Sequence, residues 1–304
     1  DFHFDTEIII QFILFKGKIK EVPIPTYYGD EICHVNGIKY AFNVLITSIV
    51  AKLQSYNLLY DRRFDILEED NSHYTSKLNW ESPHYLALIA TKNSKNLLDL
   101  GCAGGELTEK LSLSNKKITA VDKYKPEKLK ENINFYKFDL NKDLKDGGFY
   151  NKKYDTILML DVIEHLQSPE KFLDDVFLML KNQPNTKILI STGNISFIVT
   201  RILHLFGIFN YGKKGILDLT HTRLFTISTL KKLFRQSGFV IEETKGISAP
   251  WPLIFGENSF SKSLIAINKI FNKLLPGLFA YQIWLSVKAS PSLDFLLKEA
   301  INNK

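Results

Sequence analysis

LLDLGCAGGELTEKL, residues 97–111, is the stretch from which the rest of the chain can be read. Its apolar run carries an acid at Asp99 and ends at Gly101, small residues follow as Cys102, Ala103, Gly104 and Gly105, and a helical pattern starts at once. The expectation is a strand, a turn almost bare of side chains, and a helix. Backbone amides in such a turn can approach a ligand closely, and the helix N-terminus suits an anionic group such as a carboxylate.

Outward from this turn, apolar runs at 97–100, 118–121, 133–138, 155–160 and 187–191 alternate with helical stretches at 105–113, 126–131 and 169–181. That alternation predicts a parallel sheet covered on both faces. After the fifth strand, TISTLKKLFRQSGF reads as a helix capped by Thr226 and stopped by Gly238. FVIEETKGI and FAYQIWLSVKAS read as two more strands, expected as an antiparallel hairpin edge, with the amphipathic helix SKSLIAINKIFNKLLPG between them. Upstream, Ser82 and Pro83 read as a helix cap and first helical residue, and 42–67 as one amphipathic helix or two in series.

Ligands of an open parallel sheet bind beyond the carboxyl ends of its strands, where the strand order reverses. Three further segments reach that edge. Asp122, with Lys123 after it, ends ITAVD about twenty residues beyond Gly101, where an acid can accept from both hydroxyls of a ribose. Asp139 ends FYKFD, with Leu140 next, placed to accept from an exocyclic amine such as that of adenine. LDVIEHL puts Asp161, Glu164 and His165 at the mouth of the site. Each acid alone is as readily a helix cap or a solvated turn, and a glycine turn alone serves a dinucleotide equally well. The dinucleotide fingerprint G-x-G-x-x-G, however, is broken at Ala103 and Glu106, whereas D-x-G-x-A/G-x-G is satisfied by Asp99, Gly101, Ala103 and Gly105.

Together these segments, residues 97–191, resemble the class I methyltransferases that use S-adenosylmethionine. LDVIEHLQSPEKFLDD resembles the ubiquinone and small-molecule branch of that family. The resemblance implies an α/β fold with a Rossmann-like, seven-stranded, mostly parallel sheet. It also implies that Asp99 and the turn Gly101, Cys102, Ala103, Gly104 and Gly105 hold the methionine part of the cofactor. Asp122 then meets the ribose and Asp139 with Leu140 the adenine, with Lys123 and Asp161 as further cofactor-binding residues.

Methyl transfer from a sulfonium needs mainly in-line alignment and exclusion of water, while a hydroxyl acceptor gains from a base of near-neutral pKa. His165, just past the fourth strand, is the first candidate, with a hydrogen bond inside the helix cap as its plain structural alternative. His221 and Arg223 in DLTHTRLFT are the second, able to deprotonate an acceptor or hold a phosphate or carboxylate. Pinning the long insertion to the sheet is their structural alternative. The stretch resembles the D-x-T-H-T-R-x-F of methyltransferases, where it lies over the substrate pocket.

Residues 1–50 read differently. EIIIQFILF is helical in pattern, and GKIKEVPIP is a short strand stopped by two prolines. Phe4–Glu7 and Gly17–Pro25 resemble the C-terminal end of a family 2 glycosyltransferase of the polyprenyl-phosphate sugar synthase type, without its nucleotide-sugar site. The organisation expected is therefore a glycosyltransferase remnant over 1–50 and a helical linker and lid over 51–95. A methyltransferase domain follows over 96–304, with insertions at 193–225 and 247–278. Such a fusion implies an upstream glycosyltransferase domain as partner and O-methylation of a sugar, glycan or lipid-linked glycan. A quinone-like or lipid small molecule, and a non-catalytic cofactor-binding scaffold, are the alternatives.

Composition narrows the setting. The 45% hydrophobic and 24% charged fractions are those of a soluble globular chain, and a net charge of +6 is spread over scattered lysines as on a solvated surface. Cys33 and Cys102 have no metal or redox spacing, so no metal is expected and a reducing cytoplasm is the default. The N/D-P-P-Y/F/W signature of base methylation is absent after the fourth strand, which argues against a nucleic-acid partner. The apolar stretch SFIVTRILHLFGIFNYG, interrupted by Arg201 and His204, is poor as a membrane span. It fits either a buried helix hairpin or peripheral contact with the inner face of a membrane. The helix bearing Lys262, Lys269 and Lys273 poses the same choice. Because the first residue is Asp1 rather than a methionine, the expectation is a chain cut from something longer.

Overall fold

The computed structural model describes residues 4–25, 29, 35–55, 59–65, 80–114, 116–127, 129–291 and 301. Cys33 and all but Gly29 of TYYGDEI, residues 26–32, whose sequence reads as a turn-rich tail, lie outside them. By their contacts these residues form two compact units, one of residues up to 65 with 209–219, the other of 80–208 with 220 onward.

In the first unit, α1 (Phe4–Leu14) and α2 (Gly37–Ser55) accompany a 3-10 turn at Arg62–Phe64. The Gln11 side chain donates to the Arg63 carbonyl at 2.9 Å, and Arg63 pairs with Asp61 and Glu7. Because ITSIVAKLQS contains neither glycine nor proline, α2 runs straight through the expected boundary at residue 50. The strand expected at Gly17–Pro25 is not formed: these residues are exposed and pair with no neighbouring strand. Pro23 and Pro25 lack the amide that a ladder needs, so an apolar-looking run stays a single extended segment.

The second unit is built on one seven-stranded sheet: β1 (Asn96–Leu100), β2 (Lys117–Asp122), β3 (Asn134–Lys137), β4 (Thr156–Leu160), β5 (Lys187–Gly193), β6 (Phe239–Ile247) and β7 (Gln282–Ala289). Their order is β3-β2-β1-β4-β5-β7-β6. The first five are parallel, and β7 inserts antiparallel between β5 and β6. The reversal of strand order falls between β1 and β4, beside the glycine turn. Helices α3 (Pro83–Ala90), α4 (Glu106–Ser112), α5 (Pro169–Met179), α6 (Ile198–Leu205) and α7 (Ile227–Gln236) accompany the sheet, followed by α8 (Trp251–Phe255), α9 (Ser259–Leu274) and α10 (Pro276–Phe279).

Alternation along the strands divides the core in two. In β1, Leu98 and Leu100 join Met159, Phe172 and Phe234 on one face, while Leu97 joins Leu111, Ile118, Leu158 and Trp284 on the other. Local chemistry sets the helix ends. Ser82 accepts from the Tyr85 amide with Pro83 in the first turn, and Thr226 and Thr229 form a reciprocal capping box. The helix expected over 126–131 does not form. Pro126 and Leu129 instead lie over the glycine turn, where a Cβ at Gly105 would stand 3.0 Å from Leu129 Cδ1. Six residues are too few to nucleate a helix against that tertiary contact.

Gly238, which stops α7, has a φ of +85°, and a Cβ there would come 2.7 Å from Phe177 Cε2. Gly207 shares the handedness, with φ +71°, but has nothing within 4 Å. Gly207→Ala should therefore cost about 1 kcal/mol and Gly238→Ala about 2–3 kcal/mol by urea denaturation, the difference measuring the clash.

Candidate active site

The turn after β1 is held by contacts that no single residue reveals. Gly101 and Ala103 take left-handed φ of +78° and +46°, and Gly105 closes the turn at +79°. The Val121 carbonyl accepts from the Gly101 amide at 2.8 Å and the Cys102 amide at 3.3 Å, which ties the turn to β2. A Cβ at Gly101 would lie 2.5 Å from Val162 Cγ2, whereas one at Gly104 would meet nothing within 4 Å. The turn is thus packed against β4 on one side and open on the other.

Asp122 lies across this turn. Its Oδ2 accepts from the Ala103 amide at 2.9 Å and its Oδ1 from the Tyr124 amide at 3.0 Å, and each oxygen keeps a lone pair for a further donor. Beneath it, Asp99 is buried and accepts from the Thr108 hydroxyl at 2.6 Å. Burial, and then the Asp122 charge, push the Asp99 carboxyl up to about 6 against the pull of that hydrogen bond. Burial raises the Cys102 thiol as well, helped by Asp99 and Asp122, so it stays protonated and is no nucleophile.

One strand further out, the Asp139 carboxylate accepts from the Asn141 backbone at 3.0 Å and its side chain at 3.1 Å, and lies 3.7 Å from Lys123 Nζ. The Asn141 amide leads in holding the Asp139 pKa below its ordinary value. Leu140 packs partly buried against the core. Asp99, Cys102, Ala103 and Asp122 are therefore joined in one cluster, with Asp139 and Lys123 paired next to it.

Asp161 belongs elsewhere. At a φ of +52°, its carboxylate turns toward β5 and β7, where Ser191 Oγ donates at 2.7 Å and Gln282 Nε2 at 2.9 Å to both oxygens. It is fastened on the far side of β4 from the glycine turn. Glu164, close behind, is buried with Oε2 lacking a hydrogen-bond partner. Burial, and then the Asp161 charge, hold its carboxyl well above the usual range.

The two histidines meet. Their rings pack edge to face with centroids 4.7 Å apart. His165 Nδ1 lies 3.1 Å from Thr220 Oγ1 and 3.3 Å from the Thr220 carbonyl. An Nδ1–H donated to that carbonyl leaves Nε2 as the basic nitrogen. The Glu164 carbonyl accepts from the Thr222 and Arg223 amides at 2.8 and 3.1 Å, which clamps the H-x-R segment beside His165. The Arg223 guanidinium turns to Glu170 at 3.4 Å. Glu164 was legible as an acid at the site mouth, but nothing local marks its burial. Gln282 stands 121 residues from Asp161 along the chain, with no motif linking them.

Residues 72–244 match a family model described as a methyltransferase domain. The ubiquinone biosynthesis O-methyltransferase of Coxiella burnetii is 26% identical over 174 residues, 54% of this chain and 71% of that protein. The mitochondrial ubiquinone biosynthesis O-methyltransferase of Dictyostelium discoideum is 32% identical over 120 residues, 34% of this chain and 36% of its own length. Among solved structures, the Burkholderia thailandensis 1,6-didemethyltoxoflavin-N1-methyltransferase with bound 1,6-didemethyltoxoflavin and S-adenosylhomocysteine superposes with a TM-score of 0.47. That match covers 88% of this chain and 99% of the other, at 14% identity.

A carboxyl raised from 3.8 to about 6 in the folded state binds its proton more tightly there than in the unfolded chain. Its contribution to stability is full below pH 3.8 and is lost as pH rises through about 6, on the order of 3 kcal/mol in all. Asp99→Asn keeps an acceptor for Thr108 and removes that slope. The wild-type minus variant difference in unfolding free energy should therefore fall across this window, as read by urea denaturation at stepped pH.

Proposed function

The chain belongs to the family of methyltransferase domains, and from that premise we propose that it O-methylates a small-molecule acceptor, using S-adenosylmethionine. The observation that carries the proposal is the bare, left-handed turn with the Asp122 carboxylate across it, Ala103 N to Asp122 Oδ2 being 2.9 Å. The residues fit the cofactor. The open side of Gly104 admits a close approach, and an anionic Asp139 stands beyond Asp122. Asp99, by fixing Thr108, and the backbone of Gly101 to Gly105 would hold the methionine end, Asp122 the ribose, and Asp139 with Leu140 and Lys123 the adenine. When bound, S-adenosylmethionine supplies an electrophilic methyl on a sulfonium.

The chain's own residues supply the rest. Asp161, pinned by Ser191 and Gln282, shapes the wall between cofactor and acceptor. His165 and His221, as an edge-to-face pair, accept the acceptor's hydroxyl proton at an imidazole nitrogen, and Thr220 orients the His165 ring. Arg223 stands beside them for an anionic group on the acceptor. The relatives' names favour a quinone-like acceptor. A sugar or lipid-linked glycan, with a glycosyltransferase upstream, is the second reading and draws on Phe4–Glu7 and Gly17–Pro25, which precede the matched residues. A cytoplasmic setting against the inner face of a membrane is proposed on the same footing.

S-adenosylhomocysteine should bind the wild type in calorimetry, and Asp122→Ala should lower the affinity roughly tenfold to a hundredfold. Unchanged affinity would remove Asp122 from the site. Gly104→Ala should leave stability as it is and still weaken the same binding. With labelled cofactor and either a catechol or a polyprenyl-phosphate-linked sugar, His165→Ala and His221→Ala should lower kcat by about 10²–10⁴ at unaltered S-adenosylhomocysteine affinity. Full turnover in both variants would leave alignment as the whole mechanism.

A further inference from the structure

Helix α9 is inverted. A helix packed on a soluble domain turns its apolar stripe inward and its polar face to water. Here the buried residues are Ser261, Asn268 and Asn272, with Leu264 and Ile265 only half-buried beside them. Ile270 and Leu274 meanwhile stand 61% and 69% exposed, and Phe260, Ile267, Phe271 and Leu275 are exposed with them.

Hydrogen bonds fix that orientation. Asn268 accepts from the Ala249 amide at 3.1 Å and donates to the Phe279 carbonyl at 2.9 Å. Asn272 donates to Ser248 Oγ at 3.3 Å, and Ser261 donates to the Gly256 carbonyl at 2.6 Å. Rotating the helix to bury its apolar side would orphan these groups. The outward face is therefore a settled feature of the fold.

Its composition says what it meets. Ile267, Ile270, Phe271 and Leu274, at successive helical spacings, make one stripe, extended by Leu253 and Phe255 of α8, the Phe255 ring meeting Phe260 at 5.4 Å. Lys262, Lys269 and Lys273 share a single row along the edge of that stripe, seven and four residues apart. Lys269 is ion-paired with Glu81 at 2.6 Å, and Lys262 and Lys273 flank it. Among the described residues no helix is long and apolar enough to cross a membrane. An apolar face with a cationic border, held outward by a polar seam, has the make-up of a helix that lies in the plane of a membrane interface.

We infer that α9, with α8, seats the chain on an anionic lipid bilayer, its apolar stripe among the acyl chains and the lysine row at the headgroups. The lysine stems reach past the stripe while their ammonium groups stay at the phosphates. This deepens the membrane-side setting proposed above and rests on it. It does not depend on the chemistry at the glycine turn.

Vesicle co-sedimentation tests it. The chain should bind vesicles of phosphatidylcholine mixed with phosphatidylglycerol and bind phosphatidylcholine alone far more weakly. Lys262→Gln with Lys273→Gln should lower partitioning about thirtyfold. Ile270→Ser with Leu274→Ser should abolish it. Both pairs should keep S-adenosylhomocysteine affinity and far-ultraviolet circular dichroism, which separates lost membrane binding from lost folding and from failure of the cofactor site. No binding of wild type to mixed vesicles, or binding unaltered in both pairs, would overturn the inference. So would a dimer in sedimentation velocity that the Ser pair disperses while vesicles bind neither form, since the face would then be an interface between copies.

Discussion

The passage from β1 into α4 is the constraint on which the rest of the second unit depends. A strand buried on both faces must become a helix within a few residues, and it does so through left-handed conformations at Gly101, Ala103 and Gly105. Gly101 can carry no side chain, because Val162 occupies the place of its Cβ. The turn satisfies only its Gly105 amide internally, at the Cys102 carbonyl, and Val121 and Asp122 of the neighbouring strand take the amides of Gly101, Cys102 and Ala103. The glycine turn and the β1–β2 pairing are thus one structure. What bares the backbone for a ligand also joins the strands.

That arrangement sets the electrostatics. Asp99 sits under Asp122, and the lower dielectric, with the Asp122 charge, lifts its carboxyl toward neutral pH rather than holding it ionised. Across β4 the same physics acts on Glu164 behind Asp161. In each pair the outer acid meets donors and the inner one is pushed toward its neutral form. Acids of unlike character therefore flank the strand-order reversal between β1 and β4, one pair beside the glycine turn and the other toward β5. The histidine pair adds the only edge-to-face imidazole contact among the described residues.

Much of this was legible from short-range pattern. Ser82 with Pro83, Thr226 and Gly238 mark helix ends because capping is satisfied within three or four residues. The five parallel strands and the antiparallel pair follow from the spacing of apolar runs, and the two faces of the core follow from strict alternation. Two readings failed for complementary reasons. Gly17–Pro25 has the composition of a strand but no partner among the described residues, and 126–131 has the period of a helix but is drawn over the glycine turn. A ladder needs a neighbour, and a helix of so few residues yields to a tertiary contact.

The class of fold, the bare turn after β1 and the acids at or just after the ends of β2 and β3 could be read from the sequence, because each depends on residues adjacent in the chain. The amphipathicity of α9 was equally plain, but not which side it presents. That its asparagines are buried while Ile267 and Ile270 face water came only with the packing of the chain. It alone also showed that Gln282 takes Asp161 away from the glycine turn, and that His165 and His221 touch. These outcomes depend on burial and on hydrogen bonds between segments distant in sequence, and neither quantity exists until the sheet has assembled.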